Sequence, residues 1–383
     1  MDFDSEHLAA ITWSRITEGE DEHAVGLTRK FGYAEALAIV RENTFRDQEI
    51  DPKALKRWRI RLDNLTELNP SFLETNDIRV LIPEDKHWPQ SLSDLGSKMP
   101  LSLWVRGNSE ILSSFSISIV GMRAASTEGV KTAFNFSFDL ASDFPIISGG
   151  AIGIDAAAHK GANAAGGKTI IVSAGGVERI YPLTNTEIFQ ESLRCGGAII
   201  SESPLGAAPQ RYRFLSRNRI IAALSQGTVV IEAGWRSGAL NTARRALEIG
   251  REVGVVPGSI YHPESAGSNE LLRNGALAVT TSNHIRELVS PIGAHLFPLA
   301  ELTRNKNQTA DSVRDKAEDI DIYSELSSLG KRVYDAIPLY KFVTVNSIAQ
   351  LAGLEIPVVS SELSKLLFKD AVVEQNGKWR RKS

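Results

Sequence analysis

The chain has 383 residues, of which 42% are hydrophobic and 23% charged, with a formal net charge of −3. That length predicts about two or three domains, and the composition excludes a disordered or fibrous chain. The single cysteine, Cys195, excludes an internal disulfide and a thiolate zinc cluster and predicts a reducing cytoplasm as the compartment. No apolar run reaches the ~18–20 residues of a membrane span. The acidic opening Met1-Asp2-Phe3-Asp4-Ser5-Glu6 does not read as a secretory leader, which is basic and then apolar.

Residues 1–68 predict a helical domain. Val25, Phe31, Leu37 and Val40 punctuate a stretch of helix formers. Pro52 to Leu65 then carries Leu55, Trp58, Leu62 and Leu65 at helical spacing, opposite a face of Lys53, Lys56, Arg57, Arg59 and Arg61. Residues 69–114, with Pro70, Pro83, Pro89 and Pro100, read as an irregular connector. From Ser116 short apolar runs alternate with helical stretches, at 117–120, 145–147, 169–173, 197–200, 228–232, 253–256 and 276–279. That rhythm predicts a mostly parallel α/β sheet covered on both faces, a Rossmann-like domain over 115–289. Its ligand is expected beyond the carboxyl ends of the strands.

Residues 303–321 are polar and nearly free of large apolar groups, the centre of a flexible linker predicted over 290–325. In 326–383, Val333, Ile337, Ile348 and Leu351 mark two short helices. A third runs from Pro357 to about Lys369 with Val359, Leu363, Leu366 and Leu367 on one stripe. Ala371 to Glu374, Asn376-Gly377 and Lys378 to Arg380 read as strand, turn, strand. Three helices and a hairpin predict a winged-helix module. Its Lys365, Lys369, Lys378, Arg380, Arg381 and Lys382 suit either a duplex backbone or plain solubility.

Charge is distributed unevenly. Residues 1–22 hold seven acids (Asp2, Asp4, Glu6, Glu18, Glu20, Asp21, Glu22) against Arg15. Residues 207–251 hold eight arginines (Arg211, Arg213, Arg217, Arg219, Arg236, Arg244, Arg245, Arg251) against Glu232 and Glu248. Such clustering fits a phosphate-binding surface. The densest part, Arg211-Tyr212-Arg213-Phe214-Leu215-Ser216-Arg217-Asn218-Arg219, offers guanidinium forks for phosphates and two aromatics for bases. The alternative is that the aromatics are core and the arginines pair with Glu202 or Glu232.

Three small-residue turns follow three predicted strands: Gly121 to Ser126, Ser148 to Asp155, and Trp235 to Thr242. Backbone N–H groups and helix dipoles at such turns bind anions, and glycine lets a phosphate come close. None of the three is a G-x-G-x-x-G dinucleotide fingerprint. The P-loop-like run Gly161 to Thr169 is one residue too long and leads from helix to strand. Asp155 and His159, four apart, resemble an acid–base pair without a nucleophile. The seven histidines lack ligand spacing, so no metal is expected.

Taken together these motifs resemble the DNA-processing protein A family, also called Smf. The family's G-S-R-x-x-S appears as Gly121 to Ser126, and its S-G-x-A-x-G-I-D then A-H as Ser148 to Asp155 and Ala158-His159. Y-P-x-x-N is Tyr181 to Asn185, S-E-x-P-x-G-x-x-P is Ser201 to Pro209, and R-N-R-I-I-A is Arg217 to Ala222. S-G-x-L-x-T-A is Ser237 to Ala243, G-R-x-V is Gly250 to Val253, V-P-G is Val256 to Gly258, and N-G-A is Asn274 to Ala276. Met122 and Leu183 stand where relatives commonly carry a small polar and often a basic residue. Phe214-Leu215-Ser216 replaces an F-P-x context, and the N-terminal domain lacks the G-x-G hairpin of many members.

The resemblance implies a cytoplasmic recombination mediator without catalytic activity or cofactor. It would bind single-stranded DNA in the Rossmann domain as a homodimer, load the RecA recombinase and displace single-strand-binding protein during natural transformation. It also implies a sterile-alpha-motif-like N-terminal domain. The expected DNA-binding residues are Gly121, Arg123, Ser126, Ser148, Gly149, Gly150, Arg211, Arg217, Asn218, Arg219, Ser237 and Gly238. The alternative is a nucleotide-processing enzyme related to the lysine-decarboxylase-like phosphoribohydrolases. Those carry P-G-G-x-G-T-x-x-E at the turn after Glu232, and here Arg244, Arg245 and Ala246 stand where the catalytic glutamate would be sought.

Overall fold

The structure, a computed structural model, describes residues 5–42, 50–66, 70–290, 326–338, 342–369, 371–375 and 377–382. They fall into two units, Met1–Pro291 and Ile292–Ser383. From residue 291 onward the expected linker lies outside the described residues.

The first unit opens with helices α1 (Ser5–Ile16), α2 (Glu22–Phe31), α3 (Tyr33–Glu42) and α4 (Pro52–Asp63). Asp21 caps α2 by accepting from the Ala24 N–H, and Asp51 caps α4, where Pro52 supplies a preset first-turn φ. Buried Trp13 and Trp58 meet edge to face at 5.2 Å. The basic face of α4 is tied into this bundle. Arg57 pairs with Asp21 at 2.8 Å, Arg61 with Glu18 at 3.0 Å, and Arg59 donates to the Val40 carbonyl.

After α5 (Pro70–Thr75) comes a nine-stranded sheet. Its strands are β1 (Ile78–Leu81), β2 (Leu103–Gly107), β3 (Ile117–Val120), β4 (Ile146–Ser148), β5 (Thr169–Val172), β6 (Ala198–Ser201), β7 (Gly227–Val230), β8 (Glu252–Val255) and β9 (Leu277–Ala278). The order is β1-β2-β6-β5-β4-β3-β7-β8-β9. All pairings are parallel except β1 with β2 and β2 with β6. The helices are α6 (Thr127–Leu140), α7 (Ile154–Ala164), α8 (Thr186–Arg194), α9 (Arg211–Leu224), α10 (Gly238–Glu248), α11 (Ala266–Arg273) and α12 (Ser282–Val289). Strand residues alternate between two cores. Val120 and Ile147 pack with α9 and α10, whereas Ile117 and Ile119 pack with α6, α7 and α12.

The expected mostly parallel Rossmann-like core is therefore present, but the irregular connector over 69–114 is corrected. β1 and β2 extend the sheet antiparallel beyond β6, so the α/β layer starts well before residue 115. Pro83, Pro89 and Pro100 lie between the two strands and hid the short runs on either side of them. This segment also anchors the N-terminal helices. Tyr33 donates its hydroxyl to the Leu101 carbonyl at 2.7 Å, and Trp104 donates to the Ser14 hydroxyl at 3.2 Å.

The second unit has α13 (Ser328–Asp335), β10 (Val343–Thr344), α14 (Val345–Ala352), α15 (Ile356–Phe368), β11 (Val372–Gln375) and β12 (Lys378–Arg381). Its strands form an antiparallel sheet in the order β10-β12-β11. Val333, Ile337, Ile348, Val359, Leu363 and Leu366 make its core. Leu351, read as a core marker, is instead 72% exposed, and Asn376 of the hairpin turn lies outside the described residues.

Candidate nucleic-acid interface

From β3 the chain builds β4, β5 and β6 on one side, then crosses to β7, β8 and β9 on the other. The loops after β3 and β7 therefore diverge, opening the crevice where doubly wound sheets bind ligands. A cleft of about 750 Å³ occupies that place. Of the expected residues it gathers Gly121, Arg123, Arg211, Arg217, Asn218, Ser237 and Gly238. Its charged groups are Arg123, Arg211, Arg217 and Arg236 against the single carboxylate of Asp155. Arg123, Arg211 and Arg236 have no carboxylate partner among the described residues.

Phe214 forms part of the wall, with the Arg123 guanidinium 4.9 Å and the Arg217 guanidinium 5.9 Å from its ring centre. Tyr181 lies 5.9 Å from the same ring. Arg217 is the buried floor. It donates to the carbonyls of Gly149 and Val172, and burial pulls its pKa down to about 10, which still leaves it charged at neutral pH. A Cβ at Gly149 would collide with that guanidinium, so the glycine makes room for Arg217. On the far wall Asn218 donates to the Gly238 carbonyl and the Asn241 side chain, joining α9 to α10. Ser237 caps α10 by accepting from the Ala239 N–H.

The other expected residues are used elsewhere. Two of the three turns expected to bind anions are already filled by an internal carboxyl group. The Ser126 N–H donates to Glu232 at 2.9 Å, its hydroxyl contacts the same carboxylate, and that hydroxyl caps α6. Asp155 accepts from the N–H groups of Gly149 and Ala151 at 3.2 and 3.4 Å, closing the second turn. Burial pushes the Asp155 pKa up, against the pull of Arg217. Ser148 is buried and donates to the Ile119 carbonyl, and Gly150, at φ 68°, packs under Phe189. None of Ser126, Ser148, Gly149 and Gly150 lines the cleft.

Arg219 is the clearest correction. Its side chain is 1% exposed, forms a fork–fork pair with Glu202 at 2.6 and 2.7 Å, and donates to the Lys98 carbonyl. Arg213 is likewise bidentate on Glu18, and Arg245 pairs with Glu20 at 2.8 Å. Tyr212 lies beside Arg213 on that side, not among the residues lining the cleft. His159 is a buried structural histidine bonded to the Thr169 hydroxyl, its pKa lowered to about 3 by burial and by Arg217.

Sequence reasoning left Trp235 and Arg236 out of the site. Both line the cleft, and Trp235 is 67% exposed. An aromatic–arginine pair in a strand-to-helix turn was the available signal, overshadowed by the glycines around it. Among the described residues no group of His, Cys, Asp and Glu could hold a metal ion, and no helix is long and apolar enough to cross a membrane.

A doubly wound α/β domain with a basic cleft at its switch point defines a Rossmann-like protein. Residues 79–290 match the model of the family described as DNA recombination-mediator protein A, and the chain belongs to that family. It is 33% identical over 380 residues to a putative DNA processing protein DprA of Mycobacterium tuberculosis, covering 96% of this chain and 92% of that one. It is 37% identical over 289 residues to protein Smf of Escherichia coli strain K12, covering 75% and 73%. The solved DNA processing protein A of Streptococcus pneumoniae aligns with a TM-score of 0.61 at 29% identity, over 75% of this chain and 98% of that one.

Proposed function

We propose that the cleft between β3 and β7 binds single-stranded DNA, and that the protein is a recombination mediator. In this reading it protects incoming strands, displaces single-strand-binding protein and loads the RecA recombinase during DNA uptake. It works as a cytoplasmic homodimer. One observation carries the reading: three arginines without carboxylate partners and an exposed tryptophan converge on a switch-point cleft. Guanidinium groups suit phosphates, and indole and phenyl faces suit unpaired bases.

The protein acts by binding and not by turnover. Asp155 and His159 are spent on internal hydrogen bonds, and the phosphoribohydrolase glutamate has no counterpart after Glu232. The second unit is a winged helix that modulates partner contacts and is dispensable for core binding. The test is a gel shift comparing single strands with duplex over a salt series. If the four cleft arginines hold about four phosphates, log K falls with log salt at a slope of about −3, from roughly −0.7 per phosphate. A flat profile, or tighter binding to blunt duplex, overturns the proposal.

A further inference from the structure

Beyond the cleft, the loop after β8 carries the most exposed aromatic among the exposed large hydrophobics of the first unit. Ile260 is 82% and Tyr261 86% exposed. The root of this loop is nonetheless firmly held. The Gly267 and Ser268 N–H groups donate to the Ala233 carbonyl at 2.7 and 3.1 Å, and the Ser268 hydroxyl accepts from the Ala233 N–H at 2.9 Å. The Asn269 side chain brackets Gly258, accepting from its N–H and donating to its carbonyl. Ala233 is two residues before Trp235, so the loop is fastened to the very turn that lines the cleft.

β3, β7 and β8 are parallel neighbours, so the loops after them emerge on one edge, spaced by about 4.8 Å per strand. A chain leaving the cleft past Trp235 toward β8 next meets the loop bearing Tyr261. Glu264 is the one acid between β8 and α11, three residues past Tyr261, and Arg236 lies beside Trp235. We propose that Trp235 and Tyr261 form a stacking rail that carries a single strand out of the cleft along the carboxyl edge of β7 and β8. The occupant is a single-stranded nucleic acid, because a row of aromatic faces with a flanking arginine suits successive unpaired bases. This rests on the cleft binding single strands.

The experiment measures fluorescence-anisotropy affinities for a short oligo(dT) of about six nucleotides and a long one of roughly twenty, spanning the usual site sizes. Tyr261→Ala is expected to weaken the long oligonucleotide about five- to a hundredfold, the range for one stacked base, and to leave the short one unchanged. Tyr261→Phe is expected to retain wild-type affinity. A long oligonucleotide that is abasic beyond its first six nucleotides is expected to bind both proteins alike. Unchanged affinity of Tyr261→Ala for the long strand overturns the rail, as does an equal loss on the abasic strand. A loss explained by altered self-association in sedimentation overturns it too. Arg123→Ala separates the two readings. If Arg123→Ala weakens binding and Tyr261→Ala does not, the rail alone fails; if neither matters, the cleft fails with it.

Discussion

Two faces of α9 put the same residue type to opposite uses. Arg213 and Arg219, with Arg245 of α10, turn toward Glu18, Glu202 and Glu20 and are neutralised at 2.6–3.1 Å. Arg211, Phe214, Leu215 and Asn218, at the i, i+3, i+4, i+7 spacing of one helical stripe, line the cleft instead. Half of the eight arginines over 207–251 thus form a structural seam: Arg213 and Arg245 hold the segment after α1 to the α/β layer, Arg219 ties α9 to Glu202 after β6, and Arg251 pairs with Asp94. What remains for a ligand is a smaller set, including Arg123 and Arg236, defined by lacking a carboxylate rather than by density. Glu18 and Glu20 of the acidic N-terminal stretch and the arginines of α9 and α10, which looked like separate features, meet in one contact.

The largest expected effect tests the seam. Arg219→Met removes one half of a buried ion pair and strands Glu202, which costs about 3–5 kcal/mol of stability. Chemical denaturation reads this as a lower midpoint. A midpoint within about 0.5 kcal/mol of wild type would show that Glu202 finds water or another cation, and the seam would lose its structural weight.

The cleft face comes next. Arg123→Ala is expected to weaken single-strand binding by about 1.5–3 kcal/mol, the scale of a hydrogen bond to a charged group, with no change in the denaturation midpoint. Lysine restores only part, because it is a point charge rather than a fork. Loss of stability together with affinity would mean that Arg123 belongs to the seam after all.

Most of the fold was legible because buried parallel strands write themselves as short apolar runs between helices, and seven of these matched strands of the sheet. β1 and β2 were hidden by the prolines of the segment between them and, for β1, by its place at the sheet edge. Within the site, strand-end turns located the cleft but could not show who fills each turn. Ser126 and Gly149 looked ready for a phosphate, yet Glu232, more than a hundred residues from Ser126, and Asp155 occupy those N–H groups. Similarly, Arg219 and Arg217 are two apart in sequence and differ only in which long-range partner tertiary packing brings. Local pattern reports which groups can bind an anion, and the folded chain decides whose anion it is.

Acidification probes His159, the buried histidine whose pKa is lowered by burial and by Arg217. His159 stays neutral when folded, its pKa near 3, whereas in the unfolded chain it protonates near 6.5. Below pH 6.5 the unfolded state therefore binds the extra proton, and stability falls as pH drops from there toward 3. At pH 5 the loss is about 2 kcal/mol. Asp155, with its pKa raised by burial, works in the opposite direction, so the comparison to make is wild type against His159→Gln. The variant should show a flatter stability profile between pH 7 and 5. Parallel profiles would mean that His159 does not carry this pH dependence.

The smallest effect is expected at Glu20, and it asks whether seam and cleft are independent. Glu20 pairs with Arg245 at 2.8 Å, but both side chains keep some exposure, so the pair is worth about 0.5–1 kcal/mol. Glu20 also sits at φ 64°, in the left-handed region, where a residue with a Cβ costs about 1–2 kcal/mol. Glu20→Gln keeps that backbone cost and loses the charge, so stability should drop by about 0.5–1 kcal/mol. Glu20→Gly loses the same pair but relieves the backbone, and against the extra freedom of glycine in the unfolded chain it should land within about 0.5 kcal/mol of wild type. Single-strand affinity should be unchanged in both, because neither group faces the cleft. A drop of more than tenfold, about 1.4 kcal/mol, in Glu20→Gln would mean that the seam sets the position of α9 for its ligand. The two faces would then be one device, and the N-terminal helices would belong to the binding site.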